Sequence, residues 1–264
     1  MKTQINKQQF GPWALITGAS SGIGESFAEN LASQGFDLVL TARRKQKLED
    51  LGVKLQEKYN IQCEIIQADF TKSESIPMLI SAVSYLDIGL FVSNAGAARP
   101  GKFVQQSMES ILELVQLNAL THIHLTKHFA QKMAQKGKGG IILVGAMGAA
   151  EGIPYMAVEA GTKSMVEALG KSLNSELKEY GVHLTVLIPS PTDTPALDYL
   201  GFRNGTMPAK PVPVKQCVGE TLGALRQNKA TIIPGKKYRI MHSIVPEKSS
   251  RKMMGEIIKK NNNI

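Results

Sequence analysis

Short apolar runs alternate with longer segments of helical spacing along most of this chain. Continuous apolar runs of about four to eight residues, rich in β-branched side chains, predict buried strands, and apolar residues that recur every three or four positions predict amphipathic helices. Strands are predicted at 13–17, 37–42, 62–67, 88–93, 140–144, 182–188 and 231–233. Helices are predicted at 22–34, 45–59, 73–84, 107–136 and 156–180.

The alternation of strands with helices predicts one α/β domain. Strands that are apolar throughout are buried on both faces, which is typical of a parallel sheet with helices on each side. The sequence shows no internal repeat and no linker that would divide it. We therefore predict a single Rossmann-type doubly wound parallel sheet in residues 1–235, with a substrate lid at about 195–214. Residues 236–264 follow it as a basic C-terminal extension.

Composition and charge narrow the class of protein. The 264 residues are 43% hydrophobic and 20% charged, with a formal net charge of +9, as in soluble globular proteins. Residues 236–264 alone hold eight basic and two acidic side chains. Such a segment suits an anionic membrane surface or nucleic acid, but it is more often a solvated end of the chain. We expect no nucleic-acid partner.

The cysteine and histidine patterns do not indicate a disulfide framework or a metal site. Cys63 and Cys217 are far apart, and neither belongs to a Cys-x-x-Cys pair. His122, His124 and His128 share one predicted helix without an acidic partner, so we expect them at the surface or in an interface and not on a metal. The chain contains no run of 18 apolar residues, and we expect a cytoplasmic protein without a membrane span.

The first predicted strand runs directly into a glycine-rich turn and then into a helix. The turn reads Thr-Gly-Ala-Ser-Ser-Gly-Ile-Gly from position 17 to position 24. Glycines let the backbone turn tightly and approach a phosphate, and the N–H groups and dipole of the helix start face the negative charge. We expect a dinucleotide pyrophosphate to bind here, against Gly18, Ser20, Ser21, Gly22, Ile23 and Gly24.

Four features in this order resemble the short-chain dehydrogenase/reductase family. They are the glycine-rich turn, the Asn94-Ala95-Gly96 turn after the fourth strand, Asn118 in the next helix, and Lys163. The resemblance covers residues 13 to about 234. It implies a nicotinamide cofactor, and it implies a dimer or tetramer formed through the helices that begin near Ser107 and Met156.

The resemblance also implies roles for individual side chains. Asp69 would contact the adenine, Asn94 would stiffen the centre of the sheet, and Lys163 would hold the nicotinamide ribose. The segment from Pro189 through Thr192 to Thr194 resembles the family's Pro-Gly-x-x-x-Thr segment, whose threonine grips the carboxamide. Ser190 stands where the family has glycine and would add a side chain close to the nicotinamide.

The end of the second strand indicates which nicotinamide cofactor binds. An acidic residue there would accept hydrogen bonds from both ribose hydroxyls of NAD, but this chain has Ala42-Arg43-Arg44. Two guanidinium groups can pair with a 2′-phosphate, and no carboxylate repels it. The sequence therefore predicts NADP, unless both arginines are merely solvated in a loop.

The resemblance fails at the residues that carry the family's carbonyl chemistry. The family has a tyrosine four residues before the lysine and a serine thirteen residues before that tyrosine; here Glu159 and Ala146 hold those positions. A carbonyl that accepts hydride needs a hydrogen-bond donor and then a proton. Ala146 supplies neither, and the Lys163 ammonium one helical turn away should keep Glu159 ionised. We therefore expect low or altered carbonyl chemistry at Asn118, Ala146, Glu159 and Lys163.

Three functions from different classes remain open. The first is an NADP-dependent oxidoreductase of low or altered activity. The second is a redox-neutral enzyme in which Glu159 is a general base, its pKa raised by a pocket of Ala146, Met147, Ile153 and Val158. The third is a nucleotide-binding protein without catalysis, in which Glu159 and Lys163 form only a helix ion pair.

The expected lid indicates an apolar small-molecule substrate. Its apolar side chains are Leu197, Tyr199, Leu200, Phe202 and Met207. Its charged side chains are few, namely Asp198, Arg203 and Lys210. A small hydrophobic or steroid-like molecule fits this surface better than a phosphorylated sugar.

Overall fold

Seven parallel strands form one sheet in the order β3-β2-β1-β4-β5-β6-β7. The computed structural model describes residues 4–200, 202 and 209–264. The strands are β1 (Trp13–Thr17), β2 (Asp37–Ala42), β3 (Cys63–Gln67), β4 (Ile88–Ser93), β5 (Gly139–Val144), β6 (Val182–Leu187) and β7 (Thr231–Ile232). This architecture confirms the predicted doubly wound α/β fold, and each predicted strand is present with its ends displaced by at most one residue.

Helices cover both faces of the sheet. Those in the first half of the chain are α1 (Lys7–Phe10), α2 (Gly22–Ala32), α3 (Lys45–Tyr59), α4 (Ser75–Ala82), α5 (Met108–Val115) and α6 (Thr121–Lys136). Those in the second half are α7 (Ala157–Lys178), α8 (Pro195–Tyr199), α9 (Val214–Arg226), α10 (Lys236–Ile244) and α11 (Glu247–Asn261).

Alternate residues of the central strands supply the two halves of the core. Leu15, Val39 and Phe91 are fully buried on one face of the sheet, where they pack with α4 and α6. Ile16 and Leu40 are fully buried on the other face, with side chains from α2, α3 and α9. Because side chains alternate along a strand, only strands that are apolar at every position suit a sheet covered on both sides.

The predicted helix over 107–136 is present, but a π-helical turn interrupts its α-helical hydrogen bonding. α5 ends at Val115, a π-helical turn covers Gln116–Leu120, and α6 begins at Thr121. The apolar pattern continues across this break, and no proline or glycine marks it, so periodicity alone could not reveal it. Single π-turns inside helices frequently occur at functional sites.

The C-terminal extension folds as α10 and α11 and packs against the rest of the chain. Ile258 of α11 is fully buried in a small apolar cluster with Ile153 and Met156. Tyr238 of α10 is buried, and its hydroxyl donates to the carbonyl oxygen of Ala209 at 2.9 Å. A solvated basic end therefore describes only the exposed faces of these helices.

No helix within the described residues combines the length and the apolar character needed to cross a bilayer.

The junction of β1 and α2 has no room for a side chain at Gly24. A Cβ atom there would lie 2.3 Å from the carbonyl oxygen of Gly18 and 2.7 Å from the amide nitrogen of Asn94. The first contact is with backbone, which cannot move away without disturbing the turn.

We predict that Gly24→Ala lowers the free energy of unfolding by about 1–3 kcal/mol, since overpacking forces backbone shifts. Gly223→Ala in α9 is the matched control, because a Cβ there meets no atom within 4 Å. The control should gain about 0.5–1 kcal/mol from the lower entropy of the unfolded chain. Urea unfolding of both variants measures the difference, and equal stabilities would show that the turn yields without cost.

Candidate active site

One cavity of about 670 Å³ opens at the carboxyl ends of β1 and β4, where the strand order changes direction. Ligands of open α/β sheets bind in the crevice at this point. Most of the residues singled out in the sequence line this cavity: Gly18, Ser20, Ser21, Gly22, Ile23, Arg43, Arg44, Asp69, Asn94, Ala95, Gly96, Ala146, Glu159, Lys163, Pro189, Thr192 and Thr194. Among the residues expected to bind the cofactor or to carry the chemistry, Gly24 and Asn118 do not line the cavity but lie behind it, against Gly18 and Ala97.

Hydrogen bonds between Thr17 and Asn94 join the ends of β1 and β4 at the base of the crevice. The Thr17 hydroxyl accepts from the backbone N–H groups of Asn94 and Ala95, both at 2.9 Å. The Asn94 amide donates to the carbonyl oxygens of Thr17 at 3.0 Å and Gly18 at 3.3 Å. The Asn94 side chain thereby joins the ends of β1 and β4 at the centre of the sheet.

The glycine-rich turn presents the start of α2 to the cavity. Gly18 and Gly22 have φ angles of 68° and 61°, a region that favours glycine. The N-cap residue Ser21 makes no side-chain hydrogen bond to the helix. The first N–H groups of α2 therefore remain available to an anion, and this turn fits a dinucleotide phosphate.

Arg44 crosses from the end of β2 to the glycine-rich turn. Its guanidinium donates to the Ser20 hydroxyl at 2.8 Å and to the Ser21 hydroxyl at 2.6 Å. The neighbouring Arg43 is exposed and also lines the cavity. The two cations stand beside the positions where the ribose and phosphates of a dinucleotide would lie.

Asp69 makes hydrogen bonds within its own loop, whereas Ser190 makes one to a neighbouring loop. One oxygen of Asp69 accepts from the N–H of Thr71 at 3.1 Å and from its hydroxyl at 2.9 Å, which stabilises the turn after β3. The buried Ser190 hydroxyl donates to the carbonyl oxygen of Pro234 at 2.8 Å. The extra atoms of Ser190, relative to glycine, therefore attach this loop to the segment after β7.

The π-helical turn places Asn118 against the loop after β4. The Asn118 amide accepts from the N–H of Ala97 at 2.9 Å and donates to the carbonyl oxygen of Ala97 at 2.8 Å. His122, one turn further, donates from Nε2 to the carbonyl oxygen of Ala95 at 3.1 Å. Asn118 and His122 thereby fix the backbone beside Gly96.

His122 corrects an expectation from the sequence. It was expected at the surface or in an interface, but it is fully buried against the loop of Asn94. Burial, together with the nearby Lys163 ammonium, holds the pKa of His122 well below its usual range. The sequence carries no signal that distinguishes His122 from His124 and His128, apart from the helical spacing of the residues around it.

Lys163 reaches the cavity from α7. It is buried, and its Nζ donates to the carbonyl oxygen of Val144 at 2.8 Å. A Cβ atom on Gly96 would lie 3.0 Å from Nζ, so the small residue at position 96 gives the lysine its room. Burial lowers the pKa of Lys163 to about 8, although Glu159 and Glu167 oppose the shift.

Glu159 lies one turn before Lys163 but does not pair with it. The oxygen Oε2 is buried and makes no hydrogen bond, and no Glu159–Lys163 contact within 4.0 Å occurs in the described part of the chain. Burial raises the pKa of Glu159 to about 7, although Lys163 opposes the shift. Lys163 favours the ionised form of Glu159, as expected, but desolvation outweighs this attraction and the pKa is raised.

Glu167 lies one helical turn after Lys163 and interacts with it electrostatically. This residue was not identified from the sequence. Its Oε1 accepts from the backbone N–H of Ala146 at 3.1 Å, and the residue is buried. Burial raises the pKa of this carboxyl group. The spacing 159–163–167, one residue per helical turn, was the signal that could have revealed it.

The outer half of the cavity is an apolar chamber. Ala146, Met147 and Ile153 line it as predicted, whereas Val158 does not. Leu197, Leu200 and Phe202 of the segment expected to form a lid line it, and so do Met241, Met253, Met254 and Ile257 of the C-terminal helices and Val245 between them. Tyr199 is instead exposed, and Met207 and Arg203 lie outside the described residues. The share supplied by α10 and α11 was not predicted.

The described residues contain no group of three or more histidine, cysteine or acidic side chains that could hold a metal ion.

Comparisons with known proteins agree with this geometry. A sequence model of the family described as short chain dehydrogenase matches residues 12–201. The very-long-chain 3-oxoacyl-CoA reductase of Neurospora crassa is 33% identical over 183 residues, which cover 67% of this chain and 55% of that protein. The match therefore spans about half the length of this curated relative.

Solved structures give the same result. A short-chain dehydrogenase from Sphingobium yanoikuyae in complex with NADPH is 30% identical, covers 91% of this chain and 93% of its own, and has a TM-score of 0.79. The bulky-bulky ketone specific alcohol dehydrogenase from Comamonas testosteroni is 30% identical, with coverages of 93% and 94% and a TM-score of 0.75. This chain belongs to the short-chain dehydrogenase family.

Proposed function

We propose that this protein is an NADP(H)-dependent oxidoreductase that interconverts an apolar carbonyl compound and its alcohol, with altered or low activity. The observation that carries the proposal is the continuity of one cavity. It runs from Arg43 and Arg44 past Lys163 and Glu159 into the apolar chamber. A nucleotide and an apolar molecule can thus meet beside a buried acid.

In this proposal Glu159 replaces the family's tyrosine as the proton donor and acceptor. Bound NADPH supplies the hydride. With a pKa of about 7, Glu159 is present in both protonation states near neutrality, so it can donate a proton to an alkoxide and recover it from an alcohol. Lys163, held by Val144, stays beside the ribose position.

Ala146 explains why the activity should be low or altered. It stands where the family has the serine that donates a hydrogen bond to the developing oxyanion. Loss of one such donor costs about a hundredfold or more in rate. The backbone N–H of Ala146 does not compensate, because it is bound to Glu167.

A redox-neutral reaction is the second candidate. The unpartnered Oε2 of Glu159 and its raised pKa also suit a general base that abstracts a proton from carbon. A protein that binds the nucleotide without catalysis is the third outcome, in which neither hydride nor proton transfer is detected.

The apolar chamber supports a hydrophobic substrate. The names of two relatives, a 3-oxoacyl-CoA reductase and a bulky ketone alcohol dehydrogenase, agree with an apolar carbonyl compound. The lid and the C-terminal helices, rather than the sheet, would select it.

The exposed apolar side chains around α5 support a homodimer or homotetramer. Phe103, Val104, Met108 and Leu112 are all more than half exposed. Contiguous exposed apolar surface of this kind marks contact sites. We propose that α5 and α7 meet their copies in a second subunit.

We predict that Met108→Glu converts the oligomer into a 28.7 kDa monomer, because the charge cannot be buried in the contact. Met78→Glu in α4 is the matched control, since both methionines are 66% exposed. Light scattering of the three proteins measures the masses. A wild-type monomer, or the same mass for all three proteins, would contradict the proposed contact.

We predict that Arg44→Ala weakens NADPH binding by about 1–3 kcal/mol and leaves NADH binding nearly unchanged, because only NADPH carries the 2′-phosphate. Arg43→Ala should act in the same direction. Arg226→Ala, at the exposed end of α9, is the control. Calorimetric titration with both nucleotides measures the affinities. An equal loss of NADH affinity would mean that the arginines stabilise the glycine-rich turn and do not bind the 2′-phosphate.

We predict that the rate of carbonyl reduction falls as pH rises through about 7, while alcohol oxidation rises over the same range. Reduction needs protonated Glu159 and oxidation needs the carboxylate. Glu159→Gln should remove this pH step and lower the rate by about 10² to 10⁴. Glu176→Gln, on the exposed side of α7, should change neither. A pH step that survives in Glu159→Gln would remove Glu159 from the mechanism.

We predict that Ala146→Ser combined with Glu159→Tyr strongly raises NADPH-dependent reduction of apolar ketones and aldehydes. The pair restores the hydroxyls of the family around an existing lysine and nucleotide site. Steady-state consumption of NADPH measures the gain. If NADPH binds the double variant and reduction stays undetectable, the oxidoreductase proposal is wrong.

A further inference from the structure

Glu151 places a second incompletely bonded carboxylate in the wall of the cavity. It lies in the loop between β5 and α7 and lines the cavity. Its side chain is 14% exposed, and its Oε2 is buried without any hydrogen-bond partner. A buried acceptor of this kind is costly unless a ligand supplies a donor.

His242 of α10 faces the same carboxylate. Its Nδ1 lies 3.9 Å from Oε1 of Glu151, which is an ion-pair distance for a protonated ring but too long for a hydrogen bond. The imidazole lines the cavity, and no hydrogen bond to it occurs within the described residues. The C-terminal extension thus brings the imidazole of His242 beside the Glu151 carboxylate.

The surroundings of the pair are largely apolar, but the Glu167 carboxyl group lies within electrostatic range of both members. Ile153, Met241 and Val245 line the cavity next to it in sequence. A group that donates one hydrogen bond and accepts another satisfies both members at once. A hydroxyl does so, whereas an ammonium group offers no acceptor to the imidazole.

We propose that Glu151 and His242 recognise a hydroxyl group of the substrate that does not react. The hydroxyl donates to the Glu151 carboxylate and accepts from a ring N–H of His242. The substrate is therefore an apolar carbonyl compound that also carries a hydroxyl group, and this hydroxyl takes no part in the reaction. This inference rests on the proposed function, because it assumes that an apolar molecule occupies the chamber.

A purely structural role is the competing explanation. The pair would then only attach α10 to the loop after β5, and its loss would weaken every ligand equally. The distinguishing quantity is therefore the difference in affinity between two ligands that differ only in a hydroxyl group.

The test uses two steroid ketones as probes: androsterone and the same ketone without its hydroxyl group. Isothermal titration of the full chain, saturated with NADPH, gives both dissociation constants. We expect androsterone to bind about tenfold tighter or more, since a hydrogen bond to a charged group discriminates strongly. Glu151→Met and His242→Phe should each reduce this ratio towards one. Glu256→Met, which removes a charge from the exposed side of α11, should preserve it.

Equal binding of the two ketones by the wild-type protein would overturn the proposal, as would an absence of binding by both. The proposal also falls if Glu151→Met weakens both ketones to the same extent. Turnover reports separately on the proposed function. A hydroxyl preference without NADPH consumption would keep the recognition site and reject the oxidoreductase, and consumption without the preference would do the reverse.

Discussion

The bonds between Thr17 and Asn94 are the constraint on which the rest of the site depends. β1 and β4 are neighbours in the sheet but distant in sequence, and their ends define the floor of the cavity. One hydroxyl and one amide join them through bonds of 2.9–3.3 Å. Because Asn94 also reaches the carbonyl oxygen of Gly18, the same side chain sets the glycine-rich turn and the loop that Asn118 and His122 support.

Desolvation, rather than ion pairing, determines the protonation of the side chains beside the floor of the cavity. Glu159 and Lys163 lie one helical turn apart, yet burial raises the pKa of Glu159 and lowers that of Lys163, which favours the neutral form of each. The α10 and α11 helices contribute to this environment, since their side chains line the apolar chamber. A carboxyl group so placed exchanges a proton near neutral pH, which an exposed glutamate does not do.

The sequence predicted the sheet well because buried strands must be apolar at every position. It also predicted the glycine-rich turn and the position of Lys163, whose signals are local. It could not predict that Glu151 and His242 meet, because they are far apart in sequence and only the packing of α10 brings them together. The sequence left the protonation of Glu159 open for a related reason. Spacing along a helix reveals a neighbouring charge, but it does not reveal burial.

The protonation midpoint of Glu159 is the quantity that decides whether a buried acid operates in this site. Carbon-13 NMR of glutamate-labelled protein, with the signal assigned by comparison with Glu159→Gln, measures it directly. We expect a midpoint near pH 7, as burial raises the pKa of this group to about 7. A midpoint near the ordinary value of 4.5 would mean that the carboxylate is ionised and solvated at neutral pH, and it would contradict the proton-transfer role.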